Sequence, residues 1–213
     1  NKEERTYFYQ LLEKDQANEV FAELDENIQE DLIEEFDLER ITDLVENLET
    51  DDAADIISEL PEEQATEVLE NIEEEHSEEI RELLSYDEES AGGIMAKEFI
   101  AINDKANVTA AVELIREEEE DIEDLYHLYV IDDYGKFLGA VSLRNLVLAF
   151  PDQKMSEIMD QDYPFVEVDQ DQEDVAKMFK KYDLVSLPVI DERHNLIGHV
   201  SIDDIVDIIQ EET

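Results

Sequence analysis

From Val20 to Leu84 apolar residues recur three and four positions apart with acids filling the gaps, the spacing of helices that bury one face. Val20, Phe21 and Leu24 make one stripe, Leu32, Ile33 and Phe36 a second, and Ile41, Leu44, Val45 and Leu48 a third. Ile56, Ile57 and Leu60, then Val68, Leu69 and Ile72, then Ile80, Leu83 and Leu84 continue the series. Acidic or capping residues such as Asp25, Asp37 and Thr50 separate the segments. Helices this short are not stable alone. Stacked antiparallel, as in a small solenoid, they bury every stripe. Residues 1–90 are therefore expected to form an all-helical domain; they contain no glycine and only Pro61 as a proline.

The pattern changes at Ser90-Ala91-Gly92-Gly93-Ile94-Met95, where the paired glycines mark a hinge-like boundary. Phe99 to Ile102 then reads as a strand and Val108 to Ile115 as a helix. Leu128 to Ile131 and Phe137 to Val141 read as a strand pair around an acidic turn, and Leu143 to Ala149 as a closing helix. The order returns with Phe165 to Val168, Val175 to Phe179, Pro188 to Ile190, Leu196 to Val200 and Ile205 to Ile209. Gly139 and Gly198, like Ser142 and Ser201, stand 59 positions apart, so one module is written twice. Each second strand is expected to end at its Gly, with a Ser opening the helix. The acidic insertion Glu117 to Asp124 lengthens the first copy.

Charge narrows the partners. The chain has 213 residues, 63 acids and 15 bases, a formal net charge of -48. With 42% hydrophobic residues it can still bury cores. Such acidity argues against nucleic acid and against an anionic membrane surface, both of which need clustered Lys and Arg. It attracts cations or a basic protein face; adaptation to high salt is the alternative. There is no cysteine, which removes disulfides and thiolate metal sites. No apolar run approaches the ~18 residues that span a bilayer. The sequence starts at Asn1 without Met and is expected to be a piece of a longer protein.

The duplicated strand–helix–strand–strand–helix unit with Gly-x-x-Ser resembles a tandem cystathionine-β-synthase (CBS) pair. Ser201-Ile202-Asp203-Asp204 fits its Ser/Thr-x-x-Asp motif, whereas the first copy has Asn145 in place of the Asp. Tyr86-Asp87-Glu88-Glu89-Ser90-Ala91-Gly92-Gly93-Ile94-Met95, between an acidic helical region and this pair, resembles the MgtE-type magnesium transporters. The resemblance covers nearly the whole chain. It implies an α+β protein: an N-terminal all-helical superhelical domain at 1–90, then CBS domains at 91–152 and 153–213. It also implies a homodimer through the CBS domains at the cytoplasmic face of the cell membrane. The transmembrane pore domain of the same chain would follow Thr213.

Carried over residue by residue, the resemblance implies two groups of Mg²⁺ ligands. The first comprises Glu19, Asp51 and Asp55, with Asp204, Asp207 and the Gly93 carbonyl. The second comprises Glu173 and Asp183, with the Lys180 carbonyl. The residue types suit a hard cation that takes oxygen ligands and keeps several waters. Asp51 and Asp55 are one helical turn apart. A plainer reading has Asp51 and Asp52 only favouring a helix N-terminus after an N-cap at Thr50, with Glu19 one solvated acid among many.

The same resemblance implies a competing use of Ser201 and Asp204, on the ribose of an adenosine nucleotide. Asn145 and the net charge count against it. No enzyme is expected. His76, His127, His194 and His199 lack zinc spacing, and Gly92-Gly93 lacks the Lys-Ser/Thr of a phosphate loop. Ser142 and Ser201 read as helix N-caps. The expected function is Mg²⁺ sensing: Mg²⁺ bridges acidic faces of the helical and CBS domains, compacts the dimer and closes the pore.

Overall fold

The computed structural model describes residues 9, 11–12, 14–22, 24, 26–118 and 125–211. Two units divide the chain, residues 1–84 and 85–213. Among its described residues the first unit contains helices and no strand: α1 (Lys14–Ala22), α2 (Glu26–Ile33), α3 (Leu38–Val45), α4 (Thr50–Glu59), α5 (Glu62–Asn71) and α6 (Glu74–Leu83). Asp37 starts α3 by accepting from the Arg40 N–H at 3.0 Å, which satisfies one donor of the first turn. Helix α4 starts one residue earlier than the sequence implied. Glu49 is its N-cap, and Thr50 lies fully buried in the first turn.

The helices stack in a stagger: α3 packs on α4 and α5, and α4 packs on α6. Ile41, Leu44 and Val45, then Ala53, Ile56 and Ile57, then Val68 and Leu69, then Ile80 and Leu83 are buried between them. Burial of this kind supplies the stability that helices of eight to ten residues lack on their own. Carbonyls left over at helix ends are met by side chains. Ser77 Oγ donates to the Leu69 carbonyl at 2.7 Å, and His76 Nε2 lies 2.9 Å from the Val45 carbonyl.

The second unit contains β1 (Ala101–Asn103), α7 (Val108–Glu117), β2 (His127–Ile131), β3 (Phe137–Ser142), α8 (Leu143–Leu148), α9 (Met155–Ile158), β4 (Val166–Glu167), α10 (Gln172–Tyr182), β5 (Ser186–Ile190), β6 (Leu196–Ser201) and α11 (Ile202–Glu211). Two three-stranded sheets result, β1-β2-β3 and β4-β5-β6, each with a parallel pair followed by an antiparallel one. His127 pairs with Ser142 as Ser186 pairs with Ser201, and both hairpins shift register at the same place, Val130/Ile131 and Val189/Ile190. The offset is 59 through the hairpins and 64 ahead of them, where Asn107 and Asp171 both cap helices. The five extra residues fall between α7 and β2, within the acidic insertion, of which 119–124 lie outside the described residues.

A pseudo-two-fold axis relates the copies. Phe137 N–H donates to the His194 carbonyl and Leu196 N–H to the Gly135 carbonyl, both at 3.0 Å; the repeat offset exchanges these bonds. Each copy's leading segment pairs with the other copy's hairpin: Ala96 with His199, and Asp160 with Ala140. This crossing explains the repeated glycines. A Cβ on Gly139 would run into the Asp160 carbonyl, and one on Gly198 would lie 2.5 Å from Met95 Sδ. The strands do not end at these glycines, as the sequence implied; they pass through to Ser142 and Ser201.

Candidate functional site

Helix α4 carries Asp51, Asp52, Asp55 and Glu59, and its turn gives them different surroundings. Asp51 is only 9% exposed, and its Oδ1 accepts from the Asp52 N–H at 3.0 Å. Asp52, Asp55 and Glu59 instead share an open groove of about 390 Å³ with Phe21, Gln29, Ile33 and Ile56. Asp51 and Asp55 thus sit one turn apart on one helix, but only Asp55 lines the groove. Glu59 went unnoticed in the sequence; its spacing from Asp52 and Asp55 was the available signal. Glu19 lies on α1 and Asp207 on α11, and their side chains are outside the described residues.

Gly93 follows a turn in which its N–H donates to the Ser90 carbonyl at 3.0 Å. The glycine pair is not a loose joint. Gly92 N–H donates to the Val168 carbonyl at 2.8 Å and Ala91 N–H to the Gln170 carbonyl at 2.7 Å. A Cβ on Gly92 would lie 2.7 Å from both the Tyr86 ring and the Val168 side chain. The glycines are therefore there for close approach, inside the second unit.

Glu173 and Asp183 are exposed and stand at opposite ends of α10. Ten residues of helix separate them by about 15 Å, so one ion cannot take both. Glu173 has Lys177 Nζ 3.7 Å away. Asp183 closes the helix in the left-handed conformation, φ 56°, beside the last turn that carries Lys180.

Ser201 and Asp204 are brought together. One carboxylate oxygen, Asp204 Oδ2, accepts from the Ser201 N–H at 2.9 Å and from its O–H at 2.6 Å, so Asp204 braces the entry to α11. In the first copy the brace is reversed: Ser142 Oγ accepts from the Asn145 N–H at 3.2 Å.

One polar group escaped the sequence reading. Near the pseudo-axis, buried Tyr129 Oη donates to Ser186 Oγ at 3.0 Å and lies 3.5 Å from His199 Nδ1. Ser186 Oγ is 3.4 Å from His127 Nδ1, and Tyr163 Oη donates to the Ser186 carbonyl at 2.8 Å. Burial holds His199 down to about 4 and also lowers His127, so both rings are neutral near pH 7. Burial pushes the Tyr163 hydroxyl up to about 12 and raises Tyr129 further. The histidines lack metal-ligand spacing, so only the repeat offset between 127 and 186 could have pointed to this cluster.

The helical stack in the first unit and the pseudo-symmetric pair in the second define a helical domain followed by tandem CBS domains. The model of the CBS domain matches residues 91–152 and 155–211, and that of the MgtE intracellular N domain matches residues 1–89. The chain belongs to the MgtE family. The magnesium transporter MgtE of Thermus thermophilus is 38% identical over 130 residues, 61% of this chain and 29% of that protein. That of Enterococcus faecalis is 36% identical over 132 residues, 62% of this chain and 29% of the relative. The matched stretch is thus under a third of either relative's length. Among solved structures, the cytosolic domain of the Mg²⁺ channel MgtE in complex with ATP matches with a TM-score of 0.88 at 32% identity. It covers 98% of this chain and 85% of that one. The soluble part of a magnesium transporter matches with a TM-score of 0.89 at 31% identity, covering 100% and 84%. These are families of a transporter and its regulatory domains, not of enzymes.

Proposed function

We propose that this chain is the cytosolic, Mg²⁺-sensing region of a magnesium transporter, with its pore in a membrane domain of the same protein. The likeness to the cytosolic domain of the Mg²⁺ channel MgtE, over 98% of the chain, carries the reading. The donor set supports it: Glu19, Asp51, Asp55, Asp204, Asp207, Glu173, Asp183 and the Gly93 and Lys180 carbonyls offer oxygen alone, which fits a hard cation.

Carboxylates on the helical unit and on the CBS pair repel one another. A like-charge pair at ~4 Å costs roughly 1 kcal/mol in water and ~4 kcal/mol at a surface-like dielectric of 20. A bound Mg²⁺ supplies the positive charge that lets carboxylates from both units share one neighbourhood. The closed arrangement is then favoured by its better cation binding. In the whole protein, dimeric through its CBS domains, closure shuts the pore, and high internal Mg²⁺ limits its own entry.

Small-angle scattering and thermal unfolding of the chain, with Mg²⁺ against sodium chloride at equal ionic strength, test this. Millimolar Mg²⁺ is expected to shrink and stabilise the chain. Asp51→Asn, Asp55→Asn and Asp204→Asn together are expected to remove most of the response. Amides are preferred to alanine because an amide oxygen at 204 can still brace Ser201. An unchanged response in the triple variant would leave only general screening.

A second reading is adenosine-nucleotide sensing, favoured by the ATP held in the related cytosolic domain. Here Ser201 and Asp204 are the candidates for the ribose. Calorimetry with ATP, ADP and AMP, each with and without Mg²⁺, separates the two readings.

A further inference from the structure

Residues 89–97 lead into the first CBS copy, yet the second copy holds them. Beside the bonds of Ala91 and Gly92 to Gln170 and Val168, the Gln172 N–H donates to the Glu89 carbonyl at 2.8 Å. Ala96 and His199 exchange N–H to carbonyl bonds at 2.8 and 3.0 Å, and Lys97 Nζ donates to the Ile197 carbonyl at 2.9 Å. Ala91, Met95 and Ala96 are buried. The leader of the second copy, residues 153–160, does the reverse. An offset of 64 carries Ala91, Gly92 and Ala96 onto Met155, Ser156 and Asp160. Met155 N–H donates to the Ala106 carbonyl at 2.9 Å and Ser156 N–H to the Asp104 carbonyl at 3.0 Å. Asp160 and Ala140 exchange bonds at 2.8 and 3.1 Å. Met155 belongs to the core that Ile100, Val130 and Val141 form, with Ile158 and Met159 packed against it.

Residues 89–97 contain neither helix nor strand, so they take their order from what they pair with. A buried backbone group that loses its partner is costly, and groups that need one another open together. We propose that the cooperative modules of the CBS pair are exchanged relative to the sequence. Residues 89–97 open and close with the second copy, and residues 153–160 with the first. The tether from the helical unit is thus a strap fastened by the second copy. Loosening that copy releases the strap whatever the state of the first. One consequence rests on the Mg²⁺ reading above: Gly93 lies on the strap, so Gly93 and Asp204 belong to a single module.

Amide hydrogen exchange of the whole chain, followed by NMR in rising urea below the unfolding transition, tests this. Ala91, Gly92 and Ala96 are expected to share their urea dependence with Leu187 and Val200, a cross-strand pair of the second copy. Met155, Ser156 and Asp160 are expected to follow Leu128 and Val141, the equivalent pair of the first. Val189→Ala and Val130→Ala then loosen one copy each, at equivalent and fully buried positions. The first is expected to speed exchange at Ala91, Gly92 and Ala96 about tenfold and to spare Met155 and Ser156; the second does the converse. The urea series of the parent already reveals the grouping, so a variant that fails to fold does not remove the test. Millimolar Mg²⁺ separates the two readings. Grouping that persists while Mg²⁺ leaves Ala91 and Gly92 unchanged rejects the role of Gly93 and keeps the exchanged modules. Leaders that group by chain order overturn the proposal in favour of sequential domains. Equal acceleration of both leaders in each variant overturns it in favour of a single cooperative body, and leaders indifferent to both variants would be independent of either copy.

Discussion

Ser186 Oγ and His127 Nδ1 stand 3.4 Å apart, and the two residues are separated in the chain by 59 positions, the offset of the repeat itself. One site of the module therefore meets its own counterpart across the pseudo-two-fold axis. The pair is complementary because the copies have diverged there: a hydroxyl from one faces an imidazole from the other, a donor–acceptor match that suits a neutral ring. Tyr129 extends the seam to His199. The two CBS copies are thus joined by a buried polar cluster, which rewards one pairing of the sheets and penalises others that leave its groups unmet.

Acid should loosen this seam. Burial lowers His199 to about 4, with Asp203 pulling weakly the other way. An unfolded chain takes up the same proton near 6.5. Between those values the unfolded state binds more protons, so stability is fully present above ~6.5 and is lost as pH falls toward ~4. At pH 5 the loss amounts to about 2 kcal/mol from this residue. Urea unfolding of the chain and of His199→Gln at pH 7.5 and pH 5 checks it. Carboxylate titration is common to both proteins and cancels in the comparison. The variant should lose less stability than the parent on acidification, and parallel losses would remove His199 as the cause.

The two repeat glycines should differ in how much alanine costs. At Gly139 a new Cβ meets the backbone of Asp160 and Gln161, and φ is +155°. At Gly198 the main obstacle is the Met95 side chain, which is unbranched and can move. Gly139→Ala is expected to cost about 2–3 kcal/mol and Gly198→Ala about 1 kcal/mol, the range for overpacking. Shifts of the urea midpoint at unchanged slope measure both. Equal costs would mean that the crossing segments are freer to shift than their paired bonds imply.

The helical stripes were readable because each is a local pattern, and Ile41, Leu44 and Val45 or Val68 and Leu69 are buried as their spacing demands. The repeat was equally plain. What composition could not convey was long-range contact. Gly139 reads as a strand end until Asp160 is seen lying across it. Gly92 and Gly93 read as a hinge until their packing on Val168, Asp87 and Glu88 is known. Among the candidate ligands, helical periodicity placed Asp51 and Asp55 one turn apart but could not tell that Asp51 is nearly covered. Glu173 and Asp183 show the reverse problem: a shared helix puts them at opposite ends. The seam of His127, Tyr129, Ser186 and His199 joins segments far apart in sequence, so no window along the chain could display it.

The proposed homodimer can be tested on helix α8. Val147, Leu148 and Phe150 are 81%, 67% and 70% exposed. They are adjacent large apolar residues on a chain whose surface is otherwise dominated by acids, and such a patch marks an interaction surface. Val206 on α11, the repeat counterpart of Val147, is 44% exposed, but Leu148 corresponds to Asp207, so the apolar patch belongs to the first copy. An apolar interface has to hold two strongly negative bodies together, and salt screens that repulsion with a Debye length of ~10 Å at 0.1 M. Association should therefore tighten as sodium chloride rises, opposite to a dimer held by ion pairs. Val147→Glu combined with Leu148→Glu should make the chain monomeric in sedimentation equilibrium at any salt. A parent chain that stays monomeric in high salt, or a double variant that still pairs, would exclude this face as the dimer contact.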